Sequence, residues 1–187
     1  MAAAKDTCPR SALVRILSYE CSPGDVAINY ALVAWSTVLC AEGILAAFEP
    51  ATAAKSDTSS GGSTKSQGER PGDADSRRTG RAVVWAVNAY LWGFQIGLCL
   101  AVDCVGISIV WSAHAGILIA LARSLEIDAT PFLRQKLRNF AGACIAAWTY
   151  YALVEPPITT VAHAAAVAMG LGIGDLIRRW AYAARRS

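Results

Sequence analysis

The chain contains two histidines, His114 and His163, each set among small residues, in Ser112-Ala-His-Ala-Gly116 and Val161-Ala-His-Ala-Ala165. Both fall inside long apolar runs. An ionisable ring in such a run is costly unless it meets a partner, a cavity or a cofactor, which makes each a functional candidate. Two imidazoles on neighbouring antiparallel helices, with alanines beside them, could supply both axial ligands of a b-type haem. Their depths argue against a close match. Counted from the adjacent turns, they differ by roughly 4 to 5 Å of helical rise. The alternative use of the rings is a hydrogen bond to a neighbouring helix, or, for one of them, service as a general base on a lipid substrate.

Glu42 is the acidic residue that most invites a role, sixteen residues into the first apolar run and six before Phe48. It either reaches the polar boundary by stretching or pairs with His114 in a proton path. The other acids near apolar runs, Asp103, Glu155 and Asp175, have simpler explanations. The first two sit at turns, and Asp175 precedes Arg178 and Arg179 at ion-pair spacing. Asn29, Asn88, Gln95 and Thr149 could bond across helices or line a polar path. No Gly-x-Ser-x-Gly, His-Glu-x-x-His, P-loop or dinucleotide signature occurs, and no metal site is expected.

Two further patterns point to contact rather than chemistry. Gly93-Phe-Gln-Ile-Gly97 and Gly170-Leu-Gly-Ile-Gly174 place glycines four apart within apolar helices, where a flat strip lets two backbones approach closely. The strips serve either intramolecular packing or association with another membrane protein or a second copy.

The elements carrying these residues are set by hydropathy. Residues 82–122 form 41 positions with one formal charge, Asp103. A single helix of that length would run roughly 60 Å, twice the ~30 Å hydrocarbon core, so the segment must turn back on itself. Further apolar runs cover 26–48, 139–154 and 158–174. Hydrophobic residues make up 55% of the 187 and charged residues 17%, below the roughly 25% charged usual in soluble domains. The expectation is an all-α, polytopic membrane bundle of about five transmembrane helices, four being the alternative, closed by short hairpins.

The chain then divides into an interfacial segment at 1–24, a first span at 25–48 and a disordered Ser/Gly/charged linker at 49–81. A hairpin at 82–122, an amphipathic basic loop at 123–138, a second hairpin at 139–177 and a basic tail at 178–187 complete it. Leu13, Ile16 and Leu17 have helical spacing before the Ser22-Pro23-Gly24-Asp25 break. The first apolar run is too long for the core of a cleavable signal and is expected to act as an anchor.

Sidedness follows from Lys and Arg. Five spans put Lys55, Lys65, Arg70, Arg77, Arg78, Arg81, Arg123, Arg134, Lys136, Arg138, Arg178, Arg179, Arg185 and Arg186 on one side. That side, with the C-terminus, is expected to be cytoplasmic or matrix-equivalent. Lys5, Arg10 and Arg15 oppose this at the N-terminus, and a re-entrant or interfacial first segment would remove the conflict. Of the six cysteines, none form a C-x-x-C pair, and only Cys8 and Cys21 lie clear of the apolar runs, where they could pair in an oxidising compartment.

The leading functional reading is a non-catalytic membrane subunit or scaffold acting through its helix faces. The alternatives are a membrane enzyme or redox carrier using His114 and His163, and a small transporter with a path through Asn88, Gln95, His114 and Glu42. The expected partners are the lipid bilayer and another membrane protein; nucleic acid is not expected, because the basic residues lie beside apolar runs and serve retention and lipid contact.

Overall fold

Four prolines open helices. In a computed structural model, which describes residues 23–48, 71–102, 107–125, 131–154 and 157–184, the helices are α1 (Pro23–Phe48), α2 (Pro71–Val102), α3 (Ser108–Leu125), α4 (Pro131–Val154) and α5 (Pro157–Ala184). Proline suits the first helical position because its fixed φ matches the helix and its missing N–H would have been unpaired there anyway. It also disfavours helix in the residue before it, which sharpens the boundary. The described residues are all-helical, without strands.

These boundaries change three of the expected divisions. The charged stretch 71–81, assigned by composition to the linker, is the first three turns of α2. Composition shows only that such a stretch cannot fold alone, whereas here Gly80 is buried, and a Cβ on it would lie 3.2 Å from the Cβ of Phe48. The basic segment 131–138 is helical from Pro131 and runs straight on into the rest of α4 rather than forming a separate surface element. Residues 178–184 continue α5 rather than forming a tail. The interfacial segment with Leu13, Ile16, Leu17, Cys8 and Cys21, the linker 49–70, and the turns at Asp103 and at Glu155-Pro156 lie outside the described residues.

The helices alternate in direction. Ser36 and Asn29 of α1 meet His114 and Trp111 of α3, and Gly43 meets Leu118 and Leu121, so α1 and α3 run the same way. Gly170 and Gly174 of α5 meet Ala113 and Ile117 of α3, making those two parallel as well. By contrast Lys136 pairs with Glu42 and Phe140 packs on Trp35 at 5.5 Å, which sets α4 antiparallel to α1.

α3 is the centre of this arrangement. It packs most extensively on α5 and then on α1, and it touches α2 and α4 as well. Residues 108–118, 120 and 121 are all buried, with Ile119 the one exposed side chain among 108–122. Two apolar clusters meet along it. One joins Ile44, Phe48, Val87, Leu91, Ile117, Leu121 and Ile177; the other joins Leu32, Leu39, Trp111, Leu118, Phe140 and Cys144.

The outer surface is also apolar. Trp85, Phe132, Leu153, Leu176 and Ile145 are each more than 60% exposed, and Val38, Tyr90 and Trp180 more than half. Two helices, Ala27–Phe48 and Thr160–Ala184, are long and apolar enough to cross a membrane, judged by length and composition, and Ser108–Ala122 is a shorter apolar helix. Among the described residues two helices, rather than five, meet that measure. In α4 the apolar stretch is diluted by Arg138, Asn139, Trp148, Thr149 and Tyr150.

Candidate functional site

His114 is fully buried on α3, and its Nδ1 lies 2.9 Å from Oγ of Ser36 on α1. The same Oγ is 3.0 Å from the carbonyl oxygen of Val33, which can only accept. The single hydroxyl proton goes to that carbonyl, so the ring donates from Nδ1–H to Ser36. Nε2 is then a bare acceptor, and it is buried with no hydrogen-bond partner among the described residues. Ser36 gave no signal at the level of sequence. A serine three residues from its carbonyl acceptor is common in helices, and only the approach of α3 gives it a second bond.

His163 is 4% exposed on α5, and its ring faces Trp111 of α3 with centroids 5.7 Å apart and planes tilted by 33°. Trp111 is itself fully buried. Its indole N–H donates to Oδ1 of Asn29 at 3.2 Å, and its ring stacks on Trp148 of α4 at 5.7 Å. Trp148 in turn donates to Oγ of Ser112 at 3.3 Å. One layer thus joins α1, α3, α4 and α5 through Asn29, Trp111, Ser112, Trp148 and His163. A buried indole needs its N–H satisfied, and both tryptophans meet that need here. Beside this layer is a cavity of about 310 Å³ lined by Trp148, Thr160, His163, Ala164 and Val167.

The two histidines belong to different layers. Their helices are neighbours but parallel, not antiparallel, in the register of Ala113 beside Gly170 and Ile117 beside Gly174. His163 lies seven residues before Gly170 and His114 one after Ala113, so the rings start roughly 12 Å apart along the axis. The backbones between them touch: a Cβ on Gly116 would fall on the carbonyl oxygen of Val167, and one on Gly170 on that of Ala113. A haem held between His114 and His163 needs a gap the width of the macrocycle between these helices, and the packing does not fit it. Among the described residues no three of His, Cys, Asp and Glu gather as metal ligands.

Glu42 turns to Lys136 of α4, with Nζ 2.8 and 3.0 Å from its two carboxylate oxygens. Both side chains are about a third exposed, at 38% and 31%. The pairing with His114 does not form: α3 brings that ring to Ser36, six residues and roughly 9 Å of helical rise from Glu42. Lys136 also sits 4.6 Å from the ring centroid of Phe132, a cation–π distance. Its role was not visible in the sequence, 94 positions from Glu42 and among four basic residues. Asp175 pairs with Arg178 and Arg179, one turn along the same helix.

The remaining polar residues mostly return to their own helices. Asn88 donates to the carbonyl of Val84 at 2.9 Å, and Thr149 to that of Ile145 at 2.8 Å. Gln95 is fully buried. Cys40 and Cys144 are buried free thiols, small apolar fillers of the two clusters.

The two glycine strips part company. Gly170 and Gly174 are buried against α3, where a Cβ on Gly174 would come within 2.7 Å of that of Ala120. Gly116, not singled out in the sequence, completes this contact from the other side. Among the described residues, a Cβ on Gly93 or Gly97 would meet nothing within 4 Å. Both lie on the exposed side of α2, beside Phe94 and Ile96, with Tyr90 stacked on Phe94 at 6.4 Å.

Comparison of the chain with protein-family models, curated proteins and solved structures finds no match.

Proposed function

We propose that the protein is a multi-pass membrane component that works as a non-catalytic subunit or scaffold, offering the Gly93/Gly97 face of α2 to a helix of another membrane polypeptide or of a second copy. The observation that carries this reading is the contrast between the glycine strips. The strip on α5 is filled by α3, while the strip on α2 is open and flanked by exposed Tyr90, Phe94 and Ile96. In lipid there is no hydrophobic drive between helices, so a close-packing glycine face is what makes one contact better than another.

Five spans, with the C-terminus on the cytoplasmic or matrix-equivalent side, accommodate the apolar outer surface and the distribution of Lys and Arg. The enzyme and transporter alternatives receive less support. Glu42 is paired with Lys136, His114 does not line the cavity beside His163, and Asn88 bonds its own backbone.

The test is crosslinking of the full chain in native membranes, read as defined higher-mass species. Gly93→Ile with Gly97→Ile is expected to abolish those species while helical content and melting are kept. Unchanged species in that variant would overturn the assignment of this face, and loss of the chain from carbonate-washed membranes would overturn the membrane reading.

A further inference from the structure

α4 is the helix least held by the others, meeting α1, α3 and α5 only lightly. Between α3 and α4 this leaves a groove of about 350 Å³, within the 300–1,000 Å³ typical of ligand sites. Its walls are wholly apolar and include Ala115, Leu118 and Ile119 of α3 and Phe140, Ala141 and Ile145 of α4. Ile119 is the exposed residue of the otherwise covered α3, so the groove is that helix's window to the outside. It runs from Leu137 to Trp148, roughly 16 Å at 1.5 Å per residue.

Its mouth is charged. Ala141 and Ile145 belong to a helical stripe that continues, one and two turns earlier, through Arg138 and Arg134. Both arginines are exposed, and neither has an ion-pair partner among the described residues. The third cation of this turn, Lys136, is occupied by Glu42. Two guanidinium groups without an ion-pair partner among the described residues thus stand one to two turns above a slot with apolar walls.

That combination selects an occupant. A helix about 10 Å across is too wide for a groove of this volume and length. An extended peptide would bring backbone N–H and C=O groups against walls with nothing to pair them. An acyl chain needs no such partners, and a phosphate matches the fork of an arginine. Resting on the membrane reading above, we infer that the α3/α4 groove holds an acyl chain of an anionic phospholipid whose phosphate is bound by Arg134 and Arg138.

The experiment is native mass spectrometry of the full chain released from bilayers of equal phosphatidylglycerol and phosphatidylcholine. The wild type is expected to retain one lipid per chain, with phosphatidylglycerol favoured on the order of tenfold. Arg134→Gln with Arg138→Gln should reduce that preference to near one without removing the lipid. Ala141→Phe, which fills the groove from an exposed position, should release lipid of either head group. Circular dichroism and melting establish that each variant is folded, and the arginine pair, being exposed, provides a test if Ala141→Phe does not fold. Equal retention of the two lipids by the wild type overturns the inference, as does a preference that survives loss of both arginines, or a second copy of the chain at this face. A chain that stays in carbonate-washed membranes yet shows no lipid preference refutes this site alone; release by carbonate refutes the membrane reading with it.

Discussion

Gly170 lies directly against the backbone carbonyl of Ala113, with no space between α5 and α3 for a Cβ. A side chain there must push two helices apart, and the neighbouring atoms are backbone, which cannot rotate aside. Gly170→Ala is therefore expected to destabilise by about 1–3 kcal/mol, the usual range for overpacking. Helix propensity acts in the opposite direction, since alanine is favoured over glycine by roughly 1 kcal/mol within a helix. Gly97→Ala, with open space around it, should show only that gain in within-chain stability. Thermal melting of the two variants decides the point, and equal shifts would contradict the α3/α5 contact.

Ser36 and His114 are joined by a bond whose donor is the ring. Selective ¹⁵N-histidine labelling yields two imidazole spin systems, because the chain has two histidines. The His114 system is expected to show the Nδ1–H tautomer and to change in Ser36→Ala, while the His163 system stays in place. The same substitution leaves a buried donor unpaired and should cost about 1–3 kcal/mol. An Nε2–H tautomer for His114 would refute the assignment.

The Glu42–Lys136 pair ties α4 to α1 across 94 positions. Because both side chains are about a third exposed, its contribution is modest, about 1 kcal/mol or less, and should fall as salt rises. Lys136→Glu alone is expected to lower the melting temperature by placing two carboxylates together. The exchange Glu42→Lys with Lys136→Glu should recover most of that loss. Failure of the exchange to recover it would mean the pair does not hold the two helices.

Trp111 and Trp85 separate inside from outside. Trp111 is 0% exposed between His163 and Trp148, and its replacement by alanine should cost roughly 3–5 kcal/mol through lost packing and the lost hydrogen bond to Asn29. Trp85 is 77% exposed, and Trp85→Ala should stay within about 0.5 kcal/mol for the isolated chain. Urea or thermal unfolding of both variants checks the ranking.

The amino-acid sequence by itself determined that the chain is helical, where its apolar runs lie and that His114, His163 and Glu42 sit within them. These are local properties, because hydropathy and proline positions act along a few turns. It did not determine which charged segments would be helical. Residues 71–81 join α2 because Gly80 docks on Phe48, a contact that composition cannot contain.

Partnership was decided only by tertiary structure. Glu42 took Lys136 rather than His114, His114 took Ser36, and the two histidines entered separate layers because α3 and α5 run parallel with their backbones touching. The glycine strips are alike as sequence, yet one is filled and the other open. The physical reason is that a helix presents all its faces at once, and its sequence carries no mark of which neighbour, if any, will cover each of them.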